Sequence, residues 1–280
     1  DLLGLAGGGN KTRKLEFLIG RALAEGAERV VTFGALQSNH ARQTAAACAL
    51  AGLDCDLILT RMVPRDDERF TSSGNVLLDG LLGATLHVVD SSDAAAERFG
   101  EILATNEHVF TIVPGGSDAT GALGYVGASL EIAGQCAELG VTFDRIVVAA
   151  STGGTAAGLI VGASLTGAGT IVDVVCVYEP EAHTREVVAA LVTSTADDLG
   201  VEQPPADMWT ITDSTLGDWY GIPTRAGLDA IDLVARTEGV LLDPVYTSKA
   251  FAHLLRDDRY RDGRVLFVHT GGAPALFAYA

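Results

Sequence analysis

The sequence predicts an α/β protein with mostly parallel sheets, and two observations support this prediction. From Val30 onward, short β-branched segments alternate with alanine-rich segments of helical apolar spacing, a pattern typical of βαβ units. Most of the β-branched segments carry few charges, as expected of strands that are covered on both faces. The predicted strands cover residues 29–33, 55–60, 85–89, 109–113, 145–150, 171–178 and 264–268.

Helices are predicted where apolar residues recur at helical spacing between these strands. They cover residues 38–51, 120–139 and 225–238. Two loops interrupt the pattern. The loop at residues 113–118 lies between two structured halves of the chain, and the loop at residues 193–207 contains a Pro-Pro pair and several acidic residues.

The composition argues against several classes of protein. The chain has 280 residues, 48% of them hydrophobic, and is long enough to bury a sizeable core. Its net charge of −17 argues against nucleic-acid binding, because neutralising phosphates requires clustered Lys and Arg. No apolar run has the length needed to cross a membrane. We therefore expect a soluble protein. The four cysteines lack the close pairing of metal sites or disulfide scaffolds, so we expect free thiols, no metal site and a reduced, cytoplasmic compartment.

The first candidate for chemistry is a lysine that follows a glycine run. The segment GGGNKTRKLE places Lys11 at a predicted junction between a loop and a helix. Glycines let the backbone approach a ligand closely, and a lysine near a helix N-terminus and another cation is suited to nucleophilic use. Taken alone, the pattern also fits a solvated surface lysine.

Three further segments place polar groups where predicted strands end. In QSNHARQ, Ser38 or Asn39 is a natural N-cap, and the helix N-terminus favours an anion such as a carboxylate. The glycine-rich turn at residues 151–158 fits a phosphate site, although a tight βα turn needs similar residues. The last strand runs into Thr270. Because ligands gather at the carboxyl edge of parallel sheets, we expect these groups to line one crevice.

Taken together, GGGNKTRKLE, QSNHARQTAAA, STGGTAAGL and DPVYTSKA, with the terminal HTGG, closely resemble the D-cysteine desulfhydrase and 1-aminocyclopropane-1-carboxylate deaminase family. The resemblance covers nearly the whole chain and implies a two-domain tryptophan synthase β-like fold with the cofactor pyridoxal 5'-phosphate. It implies a large cofactor-binding domain at residues 1–13 and 121–280 and a small inserted domain at residues 14–120. It also implies a small amino-acid substrate and a homodimer. Members of this family have a further segment before the lysine motif, so we expect the sequence to lack its true start.

The resemblance implies roles for individual residues. Lys11 would form an imine with the cofactor, and Asn39 would bond the ring hydroxyl. Ser38, Asn39 and His40 would contact the substrate, mainly at its carboxylate. Tyr246 would stack on the ring, and Tyr220 would be a second active-site tyrosine. The predicted catalytic residues are Lys11, Ser38, Tyr220 and Tyr246; the other cofactor contacts are Ser151, Thr152, Gly153, Gly154 and Thr155 at the phosphate and Thr270 at the pyridine nitrogen.

The residue after DPVY distinguishes activities within this family. The deaminases have a glutamate there, whereas this chain has Thr247. A hydroxyl such as that of Thr247 or Thr270 would leave the pyridine nitrogen neutral, and limited electron withdrawal suits β-elimination. We therefore expect elimination of sulfide from D-cysteine, with cyclopropane deamination or L-cysteate desulfonation as alternatives. A nucleotide-binding oxidoreductase and a non-catalytic amino-acid-binding protein are the alternatives outside this class.

Overall fold

The computed structural model describes residues 4–279. The chain forms two compact units, Asp1–Gly116 with Gly272–Ala280, and Ser117–Gly271. The boundary falls inside the predicted loop at residues 113–118, which contains the 3₁₀ turn Pro114–Gly116. In this grouping residues 4–13 pack with the first unit, whereas residues 1–3 and 280 lie outside the described residues. The grouping reflects packing alone, and the division into a large and a small domain stays a prediction.

The first unit is built on a parallel sheet. Its strands are β1 (Arg29–Ala35), β2 (Asp54–Thr60), β3 (Thr85–Val89) and β4 (Val109–Ile112). They are ordered β3-β2-β1-β4, and every neighbouring pair is parallel. The side chains of residues 57–59 in β2 have no exposure to solvent, as expected of a strand covered on both faces.

Helices cover this sheet, and the second of them is unusual. The helices are α1 (Lys11–Ala24), α2 (Asn39–Ala51), α3 (Glu68–Ser72), α4 (Asn75–Leu81) and α5 (Ser92–Thr105). In α1 the buried apolar residues recur at helical spacing, which leaves the opposite face to solvent. In α2 every residue from Asn39 to Cys48 is buried, including polar and charged ones. A helix buried on all sides must satisfy its polar side chains internally, and several of the candidate residues lie in it.

The second unit repeats this layout. Its strands β5 (Arg145–Ala150), β6 (Ile171–Cys176), β7 (Trp209–Thr212) and β8 (Val265–Phe267) form a parallel sheet in the order β7-β6-β5-β8. Its helices are α6 (Ala119–Leu139), α7 (Gly154–Thr166), α8 (Glu181–Leu199), α9 (Arg225–Glu238) and α10 (Thr247–Arg256), and the chain ends in the first unit with α11 (Leu276–Tyr279). A side chain at Gly158 would overlap the carbonyl oxygen of Ala122, so glycine allows α7 to pack closely on α6.

The predicted α/β class and the parallel sheets are confirmed, and each predicted strand ends within two residues of an observed one. The predicted loop at residues 193–207 is partly wrong. α8 continues to Leu199 because Val192, Thr195 and Ala196 face the core one turn apart. The short strand β7, which begins two residues after this predicted loop, was not predicted. Among residues 4–279, every helix is too short or too polar to traverse a lipid bilayer.

Candidate active site

Lys11 lies at the start of α1, after a glycine run whose conformation requires glycine. Gly7, Gly8 and Gly9 have φ angles of 86°, 71° and 130°, values that side chains disfavour. A Cβ atom at Gly9 would also lie 2.6 Å from Nε2 of Gln43. The Nζ atom of Lys11 donates to Oδ1 of Asn10 at 2.9 Å, and the side chain is half-buried. The lysine is therefore at an ordered loop-to-helix junction, as predicted.

A buried arginine in α2 holds this glycine loop in place. The guanidinium of Arg42 donates to the backbone oxygens of Ala6 and of Gly8, the latter at 3.0 Å, and its Nε donates to Oδ1 of Asn75 at 2.8 Å. Arg42 has no exposure to solvent. Burial lowers its pKa to about 10, and the carboxyl group of Asp79 opposes this shift. The loop before Lys11 is thus tied to the interior of the first unit.

Gln43, the next residue of α2, binds the backbone that follows Lys11. Its Oε1 accepts from the backbone N–H of Thr12 at 3.0 Å, and its Nε2 donates to the backbone oxygen of Asn39 at 3.0 Å. One buried side chain therefore connects the backbone beside Lys11 with the backbone of Asn39. This explains how two stretches that are far apart in sequence are held in one arrangement.

Ser38 and Asn39 lie at the N-terminus of α2, just after β1. The Oγ atom of Ser38 caps the helix by accepting from the backbone N–H of Ala41 at 3.1 Å. This contact uses an acceptor position of the hydroxyl and leaves its O–H able to donate. Oδ1 of Asn39 accepts from Nδ2 of Asn75 at 2.9 Å. Ser38 and Asn39 are 8% and 9% exposed, so a bound carboxylate or hydroxyl would meet largely dehydrated donors.

The geometry of His40 disfavours the predicted contact with a carboxylate. Its Nε2 lies 2.8 Å from Oγ1 of Thr32, whose own proton is donated to the backbone oxygen of Ile112 at 2.8 Å. Nε2 must therefore carry the hydrogen, which leaves Nδ1 as an acceptor, buried and with no hydrogen-bond partner among the described residues. Burial lowers the pKa of His40 well below its usual value, and Lys11 and Lys14 lower it further. A neutral imidazole in this tautomer offers no donor to an anion.

In the second unit the remaining candidates other than Tyr246, which precedes α10, follow the carboxyl ends of parallel strands. Residues 151–155 follow β5, Tyr220 follows β7 and Thr270 follows β8. Since all four strands run parallel, these segments lie at one edge of the sheet. Thr270 is 8% exposed. Its neighbour His269 donates from Nε2 to the backbone oxygen of Leu241 at 3.0 Å and accepts at Nδ1 from Gly271 at 3.2 Å, which is a structural role.

The turn after β5 is shaped to hold an anion. Gly153 has a φ of 82° and precedes α7 with no side-chain cap. The hydroxyl groups of Ser117 and Thr152 are 2.6 Å apart, and the backbone N–H of Gly154 donates to Oγ of Ser117 at 3.3 Å. The first turn of a helix supplies N–H groups and the positive end of the helix dipole. One proton of the two hydroxyl groups is used in the bond between Ser117 and Thr152, so the N–H groups of this first turn are the main donors that a phosphate would meet.

Three tyrosines form a cluster at this edge. The hydroxyl oxygens of Tyr220 and Tyr246 are 2.5 Å apart. The ring of Tyr178, which follows β6, packs edge-on against Tyr220 with centroids 4.8 Å apart. Burial raises the pKa of Tyr220 to about 12, although the hydrogen bond with Tyr246 lowers it. Tyr220 therefore keeps its proton at neutral pH and is able to deliver one.

Thr247 has a different role from the one expected from the sequence. Its Oγ1 donates to Oδ1 of Asp243 at 2.7 Å and accepts from the backbone N–H of Asp243 at 2.8 Å, and it has no exposure to solvent. The Asp243 carboxylate also accepts from the backbone N–H groups of Val245, Tyr246 and Thr247. The threonine hydroxyl is captured by this turn, so its single proton is not available to a pyridine nitrogen.

A comparison of the chain with known families decides which cofactor this arrangement serves. The sequence profile described as pyridoxal-phosphate dependent enzyme matches residues 1–271. The chain belongs to this family. The predicted family resemblance and the predicted cofactor are confirmed, and the cofactor is pyridoxal phosphate rather than a nicotinamide nucleotide.

Relatives of this pyridoxal-phosphate dependent enzyme cover its full length. A D-cysteine desulfhydrase of Yersinia enterocolitica is 45% identical and one of Klebsiella pneumoniae is 44% identical; each match covers 100% of this chain and 86% or 87% of the relative. A solved structure described as an ACC deaminase homologue is 37% identical with a TM-score of 0.88, covering 100% of this chain and 84% of that chain. A threonine deaminase structure at 17% identity and a TM-score of 0.66 shares the fold.

Each unit, taken by itself, has residues that fit one part of pyridoxal phosphate. The phosphate would be held by residues 151–155, where a glycine with positive φ opens α7 without a capping side chain. The ring hydroxyl would meet a donor from Asn39, since Oδ1 of Asn39 is occupied by Asn75. Lys11 supplies a primary amine for the aldehyde. When bound, the cofactor supplies an electron sink for the bonds at Cα of an amino acid.

Several residues that build these sites were missed in the sequence. Arg42, Gln43 and Asn75 order the lysine loop and Asn39, and Tyr178 packs on Tyr220. The sequence did carry a sign of Arg42 and Gln43, which lie in α2. Polar residues at several successive positions of an alanine-rich helix are compatible with a buried helix only when internal partners satisfy them.

Lys249 is a further buried cation, and we expect the stability of the enzyme to depend on its protonation state. Its Nζ donates to the backbone oxygen of Leu216 at 2.7 Å, which ties α10 to the segment that carries Tyr220. Burial lowers its pKa from 10.5 to about 8, and Asp243 opposes this shift. Between these two pH values the unfolded chain holds a proton that the folded chain releases. The free energy of unfolding should therefore rise with pH across this window, by about 3 kcal/mol in full, and this contribution should be flat below it.

Urea unfolding between pH 7.5 and pH 10.5 measures this effect in the wild type and in Lys249→Met. As the pH rises, the free energy of unfolding of the wild type should increase relative to that of the variant, because the variant lacks the titrating group. Curves that stay parallel across the window would show that Lys249 titrates as an ordinary lysine.

Proposed function

We propose that the enzyme is a D-cysteine desulfhydrase that converts D-cysteine and water to pyruvate, sulfide and ammonia. The observation that carries this proposal is the full-length 45% identity to the Yersinia enterocolitica D-cysteine desulfhydrase. We propose further that the enzyme acts in the cytoplasm as a homodimer.

The first unit would bind the substrate and move a proton at Cα. The Ser38 hydroxyl would donate to the substrate carboxylate while it accepts from the backbone N–H of Ala41. Lys11, once its amine is released, would remove the Cα proton as a general base. Asn39 would donate to the ring hydroxyl of the cofactor. His40 would fix the start of α2 through Thr32, a structural role in place of the carboxylate contact.

The second unit would hold the phosphate and supply a proton to the leaving group. Residues 151–155 would provide the phosphate donors, and Thr270 would provide a hydroxyl toward the pyridine nitrogen. Tyr246 would stack on the ring. Tyr220 keeps its proton at neutral pH and shares it with Tyr246, whose hydroxyl is 2.5 Å away. This pair would protonate the departing sulfur.

Deamination of 1-aminocyclopropane-1-carboxylate is the second candidate, because a solved ACC deaminase homologue has a TM-score of 0.88 and 37% identity to the enzyme. The residue after DPVY argues against it. Thr247 fills a buried turn with Asp243, and a glutamate would place a second carboxylate there. With the Thr270 hydroxyl as the proposed partner of the pyridine nitrogen, that nitrogen would stay neutral. Electron withdrawal by the cofactor ring would then be limited, which suits β-elimination.

Product analysis of the loaded enzyme separates the candidates. D-Cysteine is expected to give pyruvate and sulfide in equal amounts at a kcat/KM at least about 100-fold above that for the cyclopropane amino acid, whose product is 2-oxobutyrate. Discrimination of this size corresponds to about 3 kcal/mol in the transition state. L-Cysteate, assayed as sulfite, is the matched control for the leaving group. Preferential release of 2-oxobutyrate or of sulfite would overturn the proposal.

A further inference from the structure

The orientation of the Asn39 side chain is determined by a chain of donors and acceptors that begins at Arg42. A guanidinium is able only to donate, and Nε of Arg42 lies 2.8 Å from Asn75. The atom of Asn75 that faces Arg42 must therefore be its carbonyl oxygen. It follows that the NH₂ group of Asn75 faces the other way.

The NH₂ group of Asn75 has two acceptors. Nδ2 donates to the backbone oxygen of Gln37 at 2.9 Å and to Oδ1 of Asn39 at 2.9 Å. Asn75 itself has no exposure to solvent, and its backbone N–H donates to Oε1 of Gln37 at 2.9 Å. If the amide of Asn75 were turned by 180°, its NH₂ group would face the guanidinium of Arg42, and two donors would oppose each other. The oxygen of Asn39 is consequently directed at Asn75, and its NH₂ group, which has no acceptor among residues 4–279, is directed away.

We propose that Asn75 is a positioning residue that makes Asn39 a hydrogen-bond donor toward the cofactor. The inference rests on the proposed contact between Asn39 and the cofactor ring oxygen, and it goes beyond that contact. With the polarity reversed, Asn39 would present an oxygen to the oxygen of the ring. Asn75 thus acts through Asn39 and touches neither the cofactor nor the substrate.

The substitution Asn75→Asp reverses this polarity with little change of shape. The introduced carboxylate still accepts from Arg42 but has no proton to give, so the NH₂ group of Asn39 should rotate toward it. Titration of the full chain with pyridoxal phosphate, followed by cofactor absorbance, gives the dissociation constant and the position of the visible band. We expect about ten-fold weaker binding, the effect of one lost hydrogen bond to a charged group, and a shifted band.

A double-mutant cycle distinguishes positioning from a general loss of structure. In the Asn39→Ala background, Asn75→Asp should change the dissociation constant by less than about two-fold, because the group that it orients is absent. Asp79→Asn is the matched control: it lies one turn further along α4, is equally buried and is also close to Arg42, but it does not contact Asn39. It should leave the band unchanged. Equal weakening by Asn75→Asp in both backgrounds would overturn the inference.

Asn39→Asp provides a second variant that leaves Arg42 and Asn75 intact. Its carboxylate would accept from Asn75 and present only an acceptor to the cofactor, so it should reproduce the weakened binding and the shifted band. An unchanged band in this variant contradicts the inference. If Asn39→Ala also leaves binding and band unchanged, the Asn39 contact and this inference both fail, whereas the choice of D-cysteine as substrate is decided separately by product analysis.

Discussion

Replacing Lys11 with alanine is expected to lower kcat/KM for D-cysteine by about 1,000-fold or more while the protein still folds. The lysine is proposed to supply both the covalent attachment of the cofactor and the general base at Cα, and each of these contributions alone is large. Its side chain is half-buried at the first position of α1 and is not part of the apolar face of that helix. The measurement is initial-rate pyruvate formation at saturating pyridoxal phosphate, with a thermal unfolding curve of the same sample.

Arg21→Ala is the matched control for the loss of one positive charge from α1. Arg21 is exposed, pairs with Glu25 one turn along the helix at 2.7 Å, and lies over the ring of Phe110 at 5.9 Å from its centroid. Its removal should leave kcat/KM within about two-fold of the wild type. A Lys11→Ala variant that keeps a tenth of the wild-type rate would contradict the assignment of Lys11.

Arg42→Met is expected to cost about 3–5 kcal/mol in the free energy of unfolding. Methionine keeps most of the side-chain volume but removes the donors to Gly8 and Asn75, so that buried acceptors are left unpaired. It also removes the positive charge that lowers the pKa of Asp79, which burial raises to about 7. Breaking a buried charged network by removing one partner costs energy of this size. The measurement is urea unfolding at pH 7.5 followed by far-ultraviolet circular dichroism.

Arg21→Met controls for the arginine-to-methionine change itself. The Arg21 side chain is 54% exposed, and exposed ion pairs contribute little. It should change the free energy of unfolding by no more than about 0.5 kcal/mol. If Arg42→Met costs less than about 1 kcal/mol, the network does not hold the lysine loop, and the description of the first unit is wrong.

Local rules were sufficient to predict the features that depend on short stretches of sequence. An N-cap was predicted at Ser38 or Asn39 and is Ser38, and glycine-rich turns open α1 and α7. The strands were found because β-branched segments covered on both faces carry few charges. The polar residues after β1, β5 and β8 were found because parallel strands end at one edge.

The features that were missed depend on contacts between distant segments. Arg42 and Asn75 are 33 positions apart, and only the fold brings them together. Thr247 was expected beside the cofactor because of the family pattern. Its hydroxyl instead donates to the Asp243 carboxylate, which also accepts from three backbone N–H groups. His40 was expected to contact the substrate carboxylate because of the family resemblance. The Nε2–H group of His40 instead donates to Oγ1 of Thr32, and the sequence alone does not reveal this contact.

The covalent site of the cofactor tests the account most directly, and the chain is well suited to the measurement because Lys11, Lys14 and Lys249 are its only lysines. The loaded enzyme is reduced with borohydride, digested and mapped by mass spectrometry. We expect one pyridoxyl group per chain, located on Lys11. A label on Lys14 or Lys249, or no retained label, would contradict the central claim.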